Sequence, residues 1–230
     1  MKTSQTKTTP STQSKMSQLR NLYLFSYNLF QCFGWALSLF RILSNFLSTK
    51  SVNGAFSAVG DLICLLQCIA FLEVIHGAIG IVPSGVVLPL MQWGGRTHFL
   101  LAVVRKIPEV QELPSVFITF VAWSFSEVIR YSHYALNCIG TPPNWITFIR
   151  YNAFIVLYPV GVFPGEMWLM YQALPYIKKQ NLYADSLPFS YYTFVTGLLF
   201  CYPFLWMKLY LHLFKQRRSK LGKQQKKKSN

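Results

Sequence analysis

Six apolar runs of about twenty residues or more, each closed by proline, glycine or a charged cluster, constrain this chain more than any other feature. About twenty helical residues at 1.5 Å rise cross roughly 30 Å of hydrocarbon, so runs of that length read as membrane spans. They cover 19–47, 56–79, 86–104, 115–139, 145–174 and 188–214, punctuated by Gly54, Pro83-Ser84-Gly85, Pro108 with Pro114, Thr141-Pro142-Pro143 and the stretch from Pro175 to Pro188. The predicted fold is all-α: a polytopic membrane protein, a six-transmembrane-helix bundle with disordered basic termini. Residues 1–18 are expected as a disordered cytosolic tail, 19–214 as the membrane domain and 215–230 as a basic cytosolic tail. The first run is too long for a signal segment and has no small-residue cleavage site, so it should remain as a span.

Composition supports this reading, since 52% of residues are hydrophobic, 17% aromatic and only 13% charged. The net charge of +15 does not describe a nucleic-acid surface, and no nucleic acid partner is expected. Lys2, Lys7, Lys15 and Arg20 precede the first run, and eight lysines and arginines from Lys215 to Lys228 follow the last. Positive charge gathered there marks the cytosolic side, and an even number of spans puts both termini on it. Lys50, Arg105 with Lys106, and Lys178 with Lys179 would then face the other side, which leaves five or seven spans as alternatives. The five cysteines lie in or beside apolar runs without metal-ligand spacing and read as plain thiols.

Ionisable groups inside the spans carry the functional information, because a charge at hydrocarbon depth costs about 3 kcal/mol on the insertion scale. Glu166 stands in an otherwise apolar segment, with Tyr158 before it and Pro159 and Pro164 breaking the helix between and around them. Glu127 and Arg130 fall three residues apart on one helix face, as do Glu73 and His76, and Tyr134 continues the first stripe. Glu127 with Arg130 reads as a mutually neutralising ion pair. Glu73 with His76 reads as structural or interfacial, as do Asp61 and Arg41 near span ends. Gln92, Arg96 and Arg150 complete the set of candidate substrate-binding or supporting residues.

A buried carboxyl beside a phenol is a proton-transfer pair. The chain has no nucleophile elbow, no zinc box and no glycine-rich phosphate loop, so acid–base chemistry without a metal or cofactor is the expectation. Cys138 could suggest a phosphatase, but that chemistry needs an arginine six residues on, and Asn144 stands there.

The segments RYNAFIVLYPVGV with the later Glu166, WSFSEVIRYSHYAL around Glu127 and Arg130, FLEVIHGAIGIVPS around Glu73, QWGGR from Gln92 to Arg96, and YLFSYNLFQCFGW near the N-terminus occur in one order. Together they resemble the very-long-chain (3R)-3-hydroxyacyl-CoA dehydratases, the protein-tyrosine-phosphatase-like or PASTICCINO2 family. The resemblance implies a six-span endoplasmic reticulum enzyme that removes water from a long-chain 3-hydroxyacyl-CoA in the third step of fatty-acid elongation. It implies partnership with a condensing elongase and the ketoacyl- and enoyl-CoA reductases, contact with membrane lipid, and a catalytic pair at Tyr158 and Glu166. The family spacing is seven residues, about 20° off one helix face, whereas the eight found here would separate the pair by about 80° in an ideal helix. Pro164-Gly165 is expected to absorb the extra residue as a kink or bulge. Gly95 stands where the family commonly has serine.

Glu166 as base with Tyr158 as acid is the cheaper assignment, because a phenolate is scarce at neutral pH. The reverse requires Arg150 or Arg130 to stabilise the phenolate. Arg96, Arg130 and Arg150 are candidates for polarising the thioester or holding phosphates. Lys227 and Lys228, fourth and third from the C-terminus, resemble a dilysine retrieval signal. The altered spacing also admits a second reading, a catalytically weak family member that scaffolds elongation enzymes or phosphorylated partners. A proton-coupled carrier would show an internal repeat, and none is evident.

Overall fold

The computed structural model describes residues 12–228. Helix α1 spans Thr12–Thr49, α2 Ala55–Ile69, α3 Leu72–Ala78 and α4 Val87–Thr97, the last continuing as a π-helical segment over His98–Val104. The short α5 (Pro108–Gln111) leads into α6 (Pro114–Ile139), then α7 (Asn144–Arg150) and α8 (Phe154–Val160). A second π segment, Gly161–Met167, joins α8 to α9 (Trp168–Lys179), and α10 runs over Tyr191–Lys228. Among the described residues there is no strand.

Among the described residues three stretches are long and apolar enough to cross a membrane: Ala55–Ala78, Asn144–Lys179 and Tyr191–Gly222, with mean hydropathy of 2.1, 1.5 and 1.4. Helices also occupy the other three expected positions, and two of them, α1 and α6, bury several polar side chains. Asn28, Gln31 and Ser38 are buried on α1, and Ser115, Thr119, Ser124, Glu127 and His133 on α6, so averaging over both faces lowers their hydropathy. Their outward residues, Leu29, Phe33 and Phe40 on α1 among them, are large, apolar and exposed, a surface suited to hydrocarbon rather than water.

Residues 12–18 and 215–228 are helical where the sequence pointed to disordered tails. Lysine, arginine and glutamine are good helix formers, and each segment extends a helix already nucleated. Lys2, Lys7 and the rest of 1–11, with 229–230, lie outside the described residues.

Helix α6 is the hub: it packs on α1, α2, α7, α8, α9 and the second π segment. It runs antiparallel to α1, with Phe46 against Phe117 at one level and Cys32 against Ser132 at another. At one end the connections are tied together by Glu112 accepting from the Gly54 amide (2.6 Å), Arg105 on Asp61 (3.0 Å) and Gln180 on Glu109 (3.2 Å). The half of the bundle next to those ties is filled by Ile42, Ile63, Val103, Phe120, Leu169 and Ile177, all essentially inaccessible. The half toward the basic helix ends is hollow.

Candidate active site

A cavity of about 1050 Å³ occupies the hollow half, walled by α1, α3, α4, α6, α7, α8, the second π segment and α10. The chain from Asn144 to Lys179 reaches it as a broken rod. Helix α7 ends at Arg150, a turn at Tyr151-Asn152-Ala153 follows, and α8 gives way after Val160 to the π segment. That segment is capped by a bond from the Trp168 amide to the Phe163 carbonyl, five residues back. A π turn accommodates one more residue than an α turn, so eight residues do here what seven do in a regular helix. Tyr158 and Glu166 accordingly both line the cavity. Glycine allows the π segment to lie against α6, since a Cβ on Gly165 would stand 2.5 Å from Thr119 Oγ1.

Glu166 is buried, and both its oxygens accept hydrogen bonds, one from Trp123 Nε1 at 2.9 Å and the other from the Tyr202 hydroxyl. The carboxylate is therefore fixed from α6 and α10 at once. Tyr158 differs: its ring packs against Trp206 and Tyr210, with centroids 6.1 and 6.0 Å away. Its hydroxyl makes no hydrogen bond among the described residues. Arg96 lines the same cavity, beside the Trp123 ring that holds Glu166.

Behind Arg96 runs a charge-neutral network of two arginines and two carboxylates. Arg96 Nη1 pairs with Glu127 Oε1, and its guanidinium lies 4.8 Å from the Trp123 ring centroid. Arg130 donates from Nε to Glu127 (2.6 Å) and from Nη1 and Nη2 to Glu73 (2.6 and 3.0 Å). Glu73 also accepts from Tyr131 and, at 3.4 Å, from Tyr27. Glu127 is 1% exposed, so its charge depends on these partners rather than on water.

Of the residues singled out in the sequence, Glu127 and Arg130 form the ion pair their spacing indicated. Glu73 and His76 part company: Glu73 joins Arg130 across the bundle, and His76 bonds the Tyr23 hydroxyl at 2.8 Å while buried. The interfacial reading of that pair gives way because α3 packs inward over the cavity. Gln92 lines the cavity from α4. Arg150 lines it from the end of α7, 3.5 Å from the Tyr134 hydroxyl and stacked near Tyr134 and Tyr151. Cys138 bonds back to the Tyr134 carbonyl of its own helix. Among the described residues no three His, Cys, Asp or Glu side chains gather as a metal site.

Trp123, Tyr202, Tyr131 and Tyr27 were not singled out. In a chain this rich in aromatics, residue type does not reveal which polar tip turns inward. Spacing offers one partial signal: Trp123 lies four residues before Glu127 and shares its inward face.

These features define a helical membrane protein whose cavity presents a buried carboxyl and a phenol. The family model described as "Protein tyrosine phosphatase-like protein, PTPLA" matches residues 67–223. The chain is 36% identical over 210 residues to very-long-chain (3R)-3-hydroxyacyl-CoA dehydratase 2 of Homo sapiens, covering 89% of this chain and 82% of that protein. It is 32% identical over 221 residues to very-long-chain (3R)-3-hydroxyacyl-CoA dehydratase 1 of Canis lupus familiaris, covering 94% and 88%. To very-long-chain (3R)-3-hydroxyacyl-CoA dehydratase PASTICCINO 2A of Oryza sativa subsp. japonica it is 35% identical over 188 residues, covering 80% and 84%. The chain belongs to the protein tyrosine phosphatase-like, PTPLA, family. No solved structure matches it.

Proposed function

We propose that this chain is a hydro-lyase that dehydrates very-long-chain (3R)-3-hydroxyacyl-CoA to the trans-2-enoyl-CoA in fatty-acid elongation. The observation that carries the reading is a fixed carboxylate and a free phenol facing one cavity, Glu166 and Tyr158. Glu166 takes the C2 proton, and the C2–H pair becomes the C2–C3 double bond. The C3–O bond breaks as Tyr158 delivers its proton to the departing oxygen, which leaves as water. Passage of the proton from Glu166 to the phenolate restores both groups. The acceptor-only bonding of Glu166 favours this direction, and Arg130, locked between Glu127 and Glu73, is not available to hold a resting phenolate. Arg96 faces the pair and stabilises the enolate-like oxygen of the thioester. Glu127, Arg130 and Glu73 hold Arg96 in place, and Gln92 contacts substrate from the same wall.

The same reading takes the six helical positions as six spans in the endoplasmic reticulum membrane, with both basic ends cytosolic. The elongase and the two reductases are its neighbours in the pathway. The eight-residue spacing that favoured a scaffold is accommodated by the π segment. Detergent-purified protein incubated with a long-chain (3R)-3-hydroxyacyl-CoA is expected to release the enoyl-CoA. A folded preparation that binds the thioester and never turns it over would reject the enzyme reading.

A further inference from the structure

Among the described residues four lysines and arginines line the cavity, and they divide into two kinds. Arg96 and Arg130 are neutralised by Glu127 and Glu73. Arg150 and Lys220 line the cavity without a carboxylate partner among the described residues, and Arg217, one turn before Lys220, donates to Asn152 Oδ1 at 2.9 Å, which brings this part of α10 beside the end of α7. Asn137, His212 and Gln216 line the same region with further hydrogen-bonding groups. An apolar cavity that ends in two unneutralised cations is built for an anion with an apolar extension.

Distance identifies the anion. Tyr158 packs at the level of Trp206 and Tyr210 on α10, and Lys220 is ten residues beyond Tyr210, about 15 Å along the helix. The pantetheine arm between a thioester sulfur and the first phosphorus of CoA has about thirteen bonds. At the roughly 1.2 Å per bond of an extended backbone it also spans about 15 Å.

We infer that the cavity end bounded by Arg150 and Lys220 holds the phosphate groups of the acyl carrier, with the thioester at Tyr158 and the acyl chain running the opposite way past Leu198 and Met170. This rests on the dehydratase reading and adds the direction of the substrate to it. Arg150 supplies a planar fork for phosphate oxygens, already oriented by Tyr134 and Tyr151. Lys220, exposed at the mouth, supplies a point charge where the polar head enters from the side of the basic helix ends.

The test compares two thioesters of one acyl chain, the CoA ester and the phosphate-free pantetheine ester, on the native chain, Arg150→Gln and Lys220→Gln. The preference in kcat/KM for the CoA ester is expected to fall about tenfold in each variant, the size of one lost charged hydrogen bond. Equal losses on both esters would make Arg150 a structural residue and overturn the proposal, and an unaltered preference would place the phosphates elsewhere. If the variants instead lose co-purifying anionic lipid while keeping the CoA preference, the site takes a lipid headgroup and the proposal fails. Calorimetric binding of free CoA reads the site without chemistry. Binding by the native chain that is lost in both variants supports the site even where no dehydration occurs, and equal binding by all three overturns it.

Discussion

Glu166 could be recognised from the sequence because an ionisable group in an apolar run stands out against its surroundings, and Tyr158 because it precedes a helix-breaking proline beside that group. What holds Glu166 could not be read the same way. Tyr202 comes from α10, distant in sequence, and nothing in FCYPF marks its hydroxyl as the partner of a carboxylate. Its bond sets the direction in which Glu166 presents its remaining lone pairs. Tyr202→Phe removes that donor and leaves Trp123 as the remaining one. A hydrogen bond to a charged group is worth about 1.5–3 kcal/mol, so kcat is expected to fall about tenfold or more, and the unfolding temperature to fall with it. A fall confined to KM would show that Tyr202 contacts substrate and does not position the base.

At the scale of elements, the helix positions were legible and the helix irregularities only partly so. Periods of twenty apolar residues ended by proline and glycine give rods, and rods stand at all six positions. The Pro164-Gly165 pair announced a bulge, and the π segment at Gly161–Met167 realises it. The π segment at His98–Val104 had no such announcement, because HFLLAVV contains neither proline nor glycine. If the second π segment exists to absorb one residue, deletion of Pro164 should let it rewind as an α turn with Tyr158 and Glu166 on one face about 20° apart. Dehydration by the deletion variant is expected to stay within about a hundredfold of the native chain, the loss a misplacement of about 1 Å can cause. Collapse of activity in a folded deletion variant would show that the π geometry itself is required.

Across the whole molecule the seven acids sort by place. Glu73, Glu127 and Glu166 serve the cavity, while Asp61, Glu109 and Glu112 make the ties at the closed end, where Asp185 lies in the connection before α10. Sequence spacing showed which charges share a helix face, as with Glu127 and Arg130, but not that Arg96 and Glu73 would join them across the bundle. Those contacts depend on how α3, α4 and α6 pack. Removing one member strands the others: Arg130→Met leaves Glu127 and Glu73 underpaired, and about 3–5 kcal/mol of stability is expected to be lost, read as a lowered unfolding temperature in detergent. An unchanged unfolding temperature would mean that water reaches Glu127 and that the network does not hold the cavity wall. In the proposed mechanism the cavity and its network bring one substrate between Tyr158 and Glu166. The most direct measurement is therefore turnover of a long-chain (3R)-3-hydroxyacyl-CoA by folded Tyr158→Phe and Glu166→Gln proteins beside the native chain. Each variant is expected to lose about a hundredfold or more of kcat, the contribution of a positioned acid or base. Native-like turnover in either one would contradict the assignment of this pair.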